Sequence, residues 1–228
     1  MIALSWSRWA DFEQCPKKFF LKYISKVFPP FDDTSVHLVR GRNLHKQLEN
    51  YAEHKLFPKE VPLPEMSPET EALKPAIDTL YSTSVELWPE SQLAVDAQWN
   101  PVDWFHKSVM WRSIIDLGAM RSDHGIVWDY KSGKYQPYTD SCGQLHLSAA
   151  MVLTKKPHLK YVDVAYLFID SKKHEGIRIL REETPKIIKI FDDRLKAVNS
   201  ETDWLSTKNE YCQWCEATKS QCRFSKKA

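Results

Sequence analysis

The spacing of hydrophobic residues predicts helices at both ends of the chain and strands in its middle. Apolar residues recur at helical spacing in five segments: residues 5–24, 39–56, 69–88, 138–153 and 185–198. Ser7 is a plausible N-cap for the first of them. Prolines break the pattern at residues 27–33 and 58–68, which we interpret as a break and a loop.

Partial alternation of apolar and polar residues predicts the strands. It is found at residues 92–99, 108–121 and 125–131, and most clearly at residues 161–169. Residues 176–180 form a candidate hairpin partner for the last of these strands. Helices on both sides of a strand-rich centre predict an α/β or α+β fold.

Composition removes several classes of protein. Of 228 residues 43% are hydrophobic, which excludes a wholly disordered chain and suffices for one elaborated domain or a core domain with a small accessory piece. A net charge of +2 excludes a polybasic binder, although not a local basic groove. Only 6 glycines occur, and neither a P-loop nor GxGxxG is present. We find no apolar run of membrane-spanning length and no signal-peptide pattern, so we expect a cytoplasmic protein that does not contact a membrane.

The sharpest local pattern is a pair of acidic strands followed by a lysine. One apolar strand ends in Asp129 and Lys131, which share a face because side chains alternate along a strand. Thirteen residues before Asp129, Asp116 lies within another apolar strand. If the two strands pair, both carboxylates converge beside the lysine. This set of groups suits a hard divalent cation such as Mg²⁺ and the hydrolysis of a phosphodiester.

Taken alone, Asp-x-Lys at a strand end is also typical of solvated hairpin residues, and a lone His45 on an amphipathic helix is typical of an ordinary histidine. The surrounding motifs favour the functional interpretation. They follow one another along the chain: Ser5-x-Ser7, Cys15-Pro16-Lys17-Lys18-Phe19, Gly41-x-x-x-His45-x-x-Leu48-Glu49, Ile115-Asp116-Leu117, Asp129-Tyr130-Lys131-Ser132-Gly133 and Gln144-Leu145. In this order and spacing, the chain resembles the RecB-like branch of the PD-(D/E)XK nucleases over nearly its whole length.

The resemblance implies a restriction-endonuclease-like fold, with a central mixed sheet flanked by helices, and a role for each motif residue. It implies that Mg²⁺ or Mn²⁺ is bound by His45, Asp116, Asp129 and the backbone carbonyl of Tyr130. It also implies that Lys131 is the catalytic lysine and that Gln144 positions a water or a phosphate. Glu49 lies one helical turn after His45 and is a candidate to support the site from behind the ligands.

Two positions depart from the family pattern. Ser148 stands where the family often has a tyrosine four residues after the glutamine, and this puts a DNA contact in doubt. Ser113 stands where the family often has a glycine three residues before the first acidic residue.

The five cysteines are unevenly placed. Cys212 and Cys215 form a C-x-x-C, and Cys222 lies seven residues further on, so three thiolates could bind a tetrahedral metal or one face of an iron–sulfur cluster. The resemblance implies that Cys15 is the fourth ligand, that the group is a [4Fe–4S] cluster, and that residues 1–30 and 200–228 enclose it around a 36–198 core within one nuclease domain. Zn²⁺, a redox pair and unrelated free thiols remain alternatives. Cys142 is left over, and we interpret it as structural.

We expect a DNA exonuclease, acting on single strands or ends in recombination, repair, replication or CRISPR adaptation, in a bacterial, archaeal or phage-infected cell. CRISPR-associated and phage exonucleases share the layout. Helicase motifs are absent, so a helicase, recombinase or integrase is a candidate partner. Candidate DNA contacts are Trp6, Arg8, Trp9, Lys17 and Lys18, with Arg223, Lys226 and Lys227 in the tail. The alternatives are a non-catalytic nucleic-acid-binding module with a structural cysteine site, and a sequence-specific endonuclease.

Overall fold

The computed structural model describes residues 2–29, 34–135, 137 and 142–227. Its helices are α1 (Trp6–Gln14), α2 (Pro16–Phe19, continued by one π-helical turn, Phe20–Ile24), α3 (Val36–Leu56), α4 (Pro68–Glu71), α5 (Lys74–Thr83), α6 (Gln144–Lys155) and α7 (Thr184–Ser200). Its strands are β1 (Leu4–Ser5), β2 (Glu86–Val95), β3 (Trp111–Met120), β4 (His124–Lys131), β5 (Tyr161–Phe168) and β6 (Lys173–Leu180).

The strands form one mixed sheet. β2 runs antiparallel to β3, β3 to β4, and β5 to β6, whereas β4 and β5 are parallel. The β4–β5 connection contains α6, as a parallel crossover requires. The predicted α/β fold with a central mixed sheet flanked by helices is therefore confirmed.

Strand β3 forks the sheet. β2 pairs with β3 over nearly its whole length, from Trp111 to Met120. The opposite edge of β3 is shared, because β1 pairs only with Trp111 and Arg112 and β4 pairs only from Leu117 onward. Among the described strands, none pairs with residues 113–116 on that edge. The sheet opens there, between β1 and β4.

The β2–β3 pair also reverses its faces at this point. Residues an even number of positions apart on a regular strand share a face. Leu87 packs with α3 and α5, yet Leu93 packs with α6 and α7. Between them lies Glu90, whose φ of 41° is left-handed. On β3 the same change occurs between Ile115 and Leu117, so Asp116 stands where both strands turn over.

The two ends of the described chain pack together. The Trp204 ring stacks on the Phe19 ring, with centroids 5.9 Å apart and planes 5° apart. The Lys17 N–H donates to the Leu205 carbonyl at 3.2 Å, and the Asn209 side chain donates to the Gln14 carbonyl at 3.0 Å. These contacts hold the C-terminal segment against α1 and α2.

The structure corrects two predictions about element ends. The N-cap of the first helix is Ser5, whose hydroxyl accepts from the Arg8 N–H, and not Ser7. Residues 86–88 begin strand β2, so the helical segment predicted to end at Trp88 ends at Thr83. Part of the predicted break at 27–33, and the first residues of the helix predicted from 138, lie outside the described residues. Within the described chain, no helix is both long and apolar enough to span a bilayer.

Candidate active site

A cleft of about 1100 Å³ opens at the fork in the sheet. Its walls come from the start of α1, from α3, β3 and β4, and from the start of α6. The lining includes the predicted catalytic residues and metal ligands His45, Asp116, Asp129, Tyr130, Lys131 and Gln144, but not Glu49. Backbone pairing of β3 with β4 brings the two aspartates together, as their spacing predicted.

Asp116 is held by two groups from different elements. Its Oδ2 accepts from the Tyr130 backbone N–H at 2.6 Å, and its Oδ1 lies 3.3 Å from His45 Nδ1. The first contact places the Tyr130 backbone beside the carboxylate. The second anchors α3 to the sheet, and the His45 ring also meets the edge of the Tyr130 ring at 5.7 Å.

Asp129, Lys131 and Gln144 form a closed triangle. Lys131 Nζ lies 2.5 Å from Asp129 Oδ2 and donates to Gln144 Oε1 at 3.2 Å. The Gln144 amide in turn donates to Asp129 Oδ1 at 2.6 Å. Gln144 is the first residue of α6, so the helix delivers one neutral amide that fixes both the acid and the base.

The surroundings of the cleft shift the pKa values of several of its groups, Asp129 and His45 among them. Burial raises the pKa of Asp129 to about 6; Asp116 adds to the rise, and Lys131 opposes it. Burial disfavours the charged form of His45, but Asp116 and Asp129 outweigh this effect and raise the pKa of His45 above its ordinary value. At this point of the cleft, burial and the nearby Asp116 carboxylate thus outweigh the effect of the Lys131 ammonium on Asp129.

The donor set fits a hard divalent cation. The carboxylate oxygens of the two aspartates suit Mg²⁺ or Mn²⁺. Asp129 Oδ2 is buried, and despite its closeness to Lys131 Nζ it has no hydrogen bond of acceptable geometry. Within the described part of the chain, no three His, Cys, Asp or Glu side chains are placed to hold one metal ion together. Each aspartate is instead held by contacts with its protein partners.

Two further acidic residues flank the cleft. Glu49, predicted to support the site, forms an ion pair with Lys46 at 2.8 Å. Glu90 was not predicted, although it lines the cleft and faces Asp116 across the β2–β3 pair. Burial, Asp116 and Glu49 together raise the pKa of Glu90. No sequence pattern signals a left-handed residue inside a strand, and so the sequence did not reveal it.

The two departures from the family pattern contact each other. Ser113 on β3 and Ser148 on α6 are both buried, and their hydroxyls form a hydrogen bond of 2.8 Å. This bond fixes α6, which begins with Gln144, against the strand that carries Asp116. The Ser148 hydroxyl therefore points into the packed interior and makes a structural contact.

The cysteines outside the core converge on a second site. Cys15, Cys212, Cys215 and Cys222 all line one cavity of about 410 Å³, between α2 and the C-terminal segment. Backbone N–H groups of Thr207 and Asn209 donate to the sulfurs of Cys15 and Cys212, each at 3.4 Å. Cys142 is buried in the core, 4% exposed, consistent with a structural role.

Three of the four thiols lie close enough to influence one another across this cavity. Burial raises the pKa of the Cys215 thiol, and the nearby Cys15 and Cys222 add to the rise. Among the described residues, the thiols are not placed to bind a single metal ion together. Four cysteine thiolates satisfy Zn²⁺ or a [4Fe–4S] cluster equally well as ligands.

Of the candidate nucleic-acid contacts in the N-terminal segment, some line the cleft and others do not. Trp6 and Arg8 line the cleft, as a substrate contact requires. Trp9 is only 8% exposed and packs in the core, so its prediction as a stacking residue is wrong. Lys18 is committed to an ion pair with Asp11 at 2.6 Å. Lys17 lies over the Phe20 ring beside the cysteine cavity, away from the cleft.

The chain is similar to known proteins in its sequence pattern and in its fold. A family model described as the PD-(D/E)XK nuclease superfamily matches residues 3–223. No curated protein matches significantly. Among solved structures, a "putative exonuclease" from Eubacterium rectale is similar, with a TM-score of 0.50 and 12% identity over 93% of this chain and 86% of that one. The crystal structure of SSO0001 has a TM-score of 0.43 and 14% identity over 94% of this chain and 83% of that one.

Proposed function

The chain belongs to the PD-(D/E)XK nuclease superfamily, and we propose that it is a metal-dependent DNA exonuclease acting on single strands or ends. Membership implies a hydrolytic nuclease with a nucleic-acid substrate, and nucleases of this superfamily generally use Mg²⁺ or Mn²⁺. The exonuclease assignment is the finer step. The name of the Eubacterium rectale neighbour supports it, as does the order of the RecB-like motifs.

One observation carries the proposal of catalysis. Asp116, Asp129, Lys131 and Gln144 reach one cleft from β3, β4 and α6, and contacts of 2.5–3.2 Å link the last three. A solvated hairpin does not bury an aspartate to 8% exposure beside a second carboxylate, because each charge loses hydration. A site that binds cations gains from that arrangement.

Each residue then has a defined task. Asp116, Asp129, His45 and the Tyr130 carbonyl are the proposed ligands. Bound Mg²⁺ or Mn²⁺ supplies a Lewis acid that lowers the pKa of a water and neutralises phosphodiester charge.

The cationic and amide groups act on the substrate side. The ammonium of Lys131 donates hydrogen bonds to the phosphate and stabilises the negative charge that develops on its oxygens. Gln144 holds Lys131 Nζ and Asp129 in register through its two amide atoms.

At the other site, we propose that Cys15, Cys212, Cys215 and Cys222 hold a [4Fe–4S] cluster. The shared cavity and the N–H donors to two of the sulfurs support this proposal. Such N–H···S bonds tune a cluster, and the cluster would join the N-terminal and C-terminal segments covalently through its irons. Residues 1–30 and 200–228 would then form a cap on a 36–198 core, within one domain of 228 residues.

The decisive experiment is degradation of end-labelled single-stranded DNA with Mg²⁺ or Mn²⁺. We expect stepwise shortening from an end, with loss of about 10²–10³-fold or more in rate for Lys131→Ala, because a group that stabilises the transition-state charge is removed. Full activity in that variant would overturn the assignment. A protein that binds but never cleaves, with either metal, would favour the non-catalytic binding module.

The cluster is tested by composition. Protein purified without oxygen should be brown and contain iron and acid-labile sulfide, and Cys15→Ser should lose both. Cys142→Ser is the matched control, because that cysteine lies in the core away from the cavity. A colourless protein with stoichiometric zinc would reverse the choice of metal.

A further inference from the structure

Arg112, which pairs with no acidic side chain among the described residues, lines the cleft. The Arg112 guanidinium carbon is 5.1 Å from the centre of the Trp104 ring and 5.9 Å from the centre of the Phe105 ring. We call Trp104, Phe105 and Arg112 the aromatic platform. Trp104 and Arg112 both line the catalytic cleft, and Phe105 is the next residue along the same loop.

The platform presents an unusual amount of apolar ring to solvent. Phe105 is 86% exposed, the highest value among the large hydrophobic residues the structure describes. An exposed phenylalanine contributes nothing to a core. Its position beside a cation and at the edge of a catalytic cleft points to a ligand that offers both a flat ring and a negative charge.

Arg112 also differs from the chain's structural arginines. Arg178 donates to both oxygens of Asp163, and Arg40 pairs with Glu69 and Asp170. Among the described residues, Arg112 has no ion pair and no side-chain hydrogen bond, and its Nε is buried without a partner. Its forked donors match the oxygens of a phosphate.

The aromatic platform lies close to the acidic centre of the cleft along β3. Arg112 and Asp116 are four residues apart on β3, at most about 13 Å at roughly 3.3 Å per residue. Ile114, 39% exposed, lines the cleft between them. A ligand on the platform is therefore separated from the acidic centre by a short apolar floor.

A bound nucleic-acid strand has room to continue past Lys131 into a second cavity. On the far side of Lys131 a second cavity adjoins the cleft, and the two share Trp6, His45 and Gln144 in their linings. Tyr166 and Phe168 line this second cavity. Aromatic rings thus occur on both sides of the catalytic lysine.

We propose that the aromatic platform stacks an unpaired base and binds its phosphate, so that the enzyme holds single-stranded nucleic acid next to the nucleotide that it cuts. This inference rests on the proposed nuclease function and names its substrate. Only an unpaired base can leave its neighbours to stack on Phe105, and stacking on protein rings does not depend on sequence. In a duplex the base faces are already covered.

Binding is measured with fluorescein-labelled oligothymidylate and with a blunt duplex of equal length, in the Lys131→Ala background to prevent cleavage. We expect Phe105→Ala to raise the Kd for the single strand about 5- to 100-fold and to leave the Kd for the duplex unchanged. Arg112→Gln should weaken single-strand binding and flatten its dependence on salt, because a phosphate contact is lost.

Phe57→Ala is the matched control, since Phe57 is 53% exposed at the C-terminal end of α3 and lies outside the cleft. Thermal unfolding should show that neither phenylalanine variant alters the fold. Equal loss of single-strand and duplex binding in Phe105→Ala, or a similar loss in Phe57→Ala, would overturn the platform. Unchanged single-strand binding in Phe105→Ala would do so as well, and would point to a protein partner for this loop.

Cleavage kinetics separate the platform from the nuclease assignment. With Lys131 intact, Phe105→Ala should raise KM for single-stranded DNA and leave kcat within about twofold, because the ring contacts a nucleotide outside the reacting phosphate. If wild type cleaves DNA and Phe105→Ala shows no change in KM, the platform is wrong and the nuclease assignment stands. If wild type cleaves nothing, the single-strand binding results still judge the platform alone.

Discussion

Asp11 and Asp129 both lie beside lysines, and their surroundings affect them in opposite ways. Asp11, in the helical N-terminal segment, contacts Lys18 at 2.6 Å and Lys22 at 2.8 Å, and accepts from the Tyr23 hydroxyl at 2.7 Å. Burial opposes its charge, but these three partners lower the pKa of Asp11 below its ordinary value.

Asp129, in the cleft, has one lysine and another carboxylate nearby. Burial raises the pKa of Asp129 to about 6, and Lys131 does not offset the rise. Asp11 thus has a surplus of positive partners, and Asp129 has a deficit. The first arrangement stabilises the fold, whereas the second leaves charge for a ligand to neutralise. The predictions below test this contrast.

The largest effect on stability is expected for Asp11→Asn. Its removal leaves two ammonium groups without their acid, and we expect a loss of about 2–3 kcal/mol at pH 7, below the range for fully buried pairs because Lys18 and Lys22 are partly exposed. The pKa of Asp11 is lowered on folding, so its contribution is present at neutral pH and disappears as pH falls below about 4. Urea unfolding at several pH values measures this, and equal stability of variant and wild type at pH 7 would contradict it.

Asp129→Asn is expected to act in the opposite direction. Because the pKa of Asp129 is raised to about 6, the folded state binds its proton more tightly than the unfolded state does. Wild-type stability from this group therefore falls as pH rises from about 4 to about 6. With chelator present at pH 7, we expect the variant to be about 1–2 kcal/mol more stable than wild type, and inactive. If the variant is instead less stable than wild type at pH 7, its neighbours already neutralise the negative charge of Asp129.

The next prediction tests how α6 is held against the strands, by changing the two serines that join them. Ser113→Ala or Ser148→Ala leaves one buried hydroxyl without its partner, and each should cost about 1–2 kcal/mol. The double variant should cost clearly less than the sum, because neither hydroxyl then remains to be satisfied. Additive losses in the double-mutant cycle would argue that the two serines act independently.

The smallest effect is expected for Glu90→Gln. Glu90 lines the cleft opposite Asp116, and its charge attracts a divalent cation without direct need for ligation. Loss of one partly exposed charge is worth about 0.2–1 kcal/mol, so the Mn²⁺ concentration for half-maximal cleavage should rise roughly two- to fivefold. Cleavage at saturating Mn²⁺ should change little. An unchanged metal requirement would remove Glu90 from the electrostatics of the site.

Sequence patterns predicted the parts of the site that depend on local regularity. Strand alternation predicted that Asp129 and Lys131 share a face, and in the structure Lys131 Nζ lies 2.5 Å from Asp129 Oδ2. Pairing of adjacent strands brought Asp116 to Asp129, as the short connection between them suggested. The spacing of Cys212, Cys215 and Cys222 indicated a metal site, whereas Cys15 followed from the resemblance alone, because Cys15 and its donor Thr207 are 192 residues apart.

The sequence did not reveal features that depend on local irregularity. Glu90 occupies a left-handed position in a strand, and residues 86–88 were assigned to a helix because their polar spacing fits either period. Trp104 and Phe105 lie in a loop, where no periodicity marks an aromatic residue as exposed. The pairing of Ser113 with Ser148 needs tertiary structure, since each serine by itself resembles a simple departure from a motif.

The fork in β3 has a consequence for how such an enzyme can change over time. The opening between β1 and β4 arises because two short backbone ladders leave residues 113–116 without a partner among the described strands on one edge, and no side chain is required to create it. Substitutions within the cleft can therefore alter metal preference or substrate while the scaffold keeps its shape. We expect the lining of the cleft, apart from the proposed catalytic residues, to tolerate inherited variation more readily than the ladders that border it, so that new specificities can evolve without a new fold.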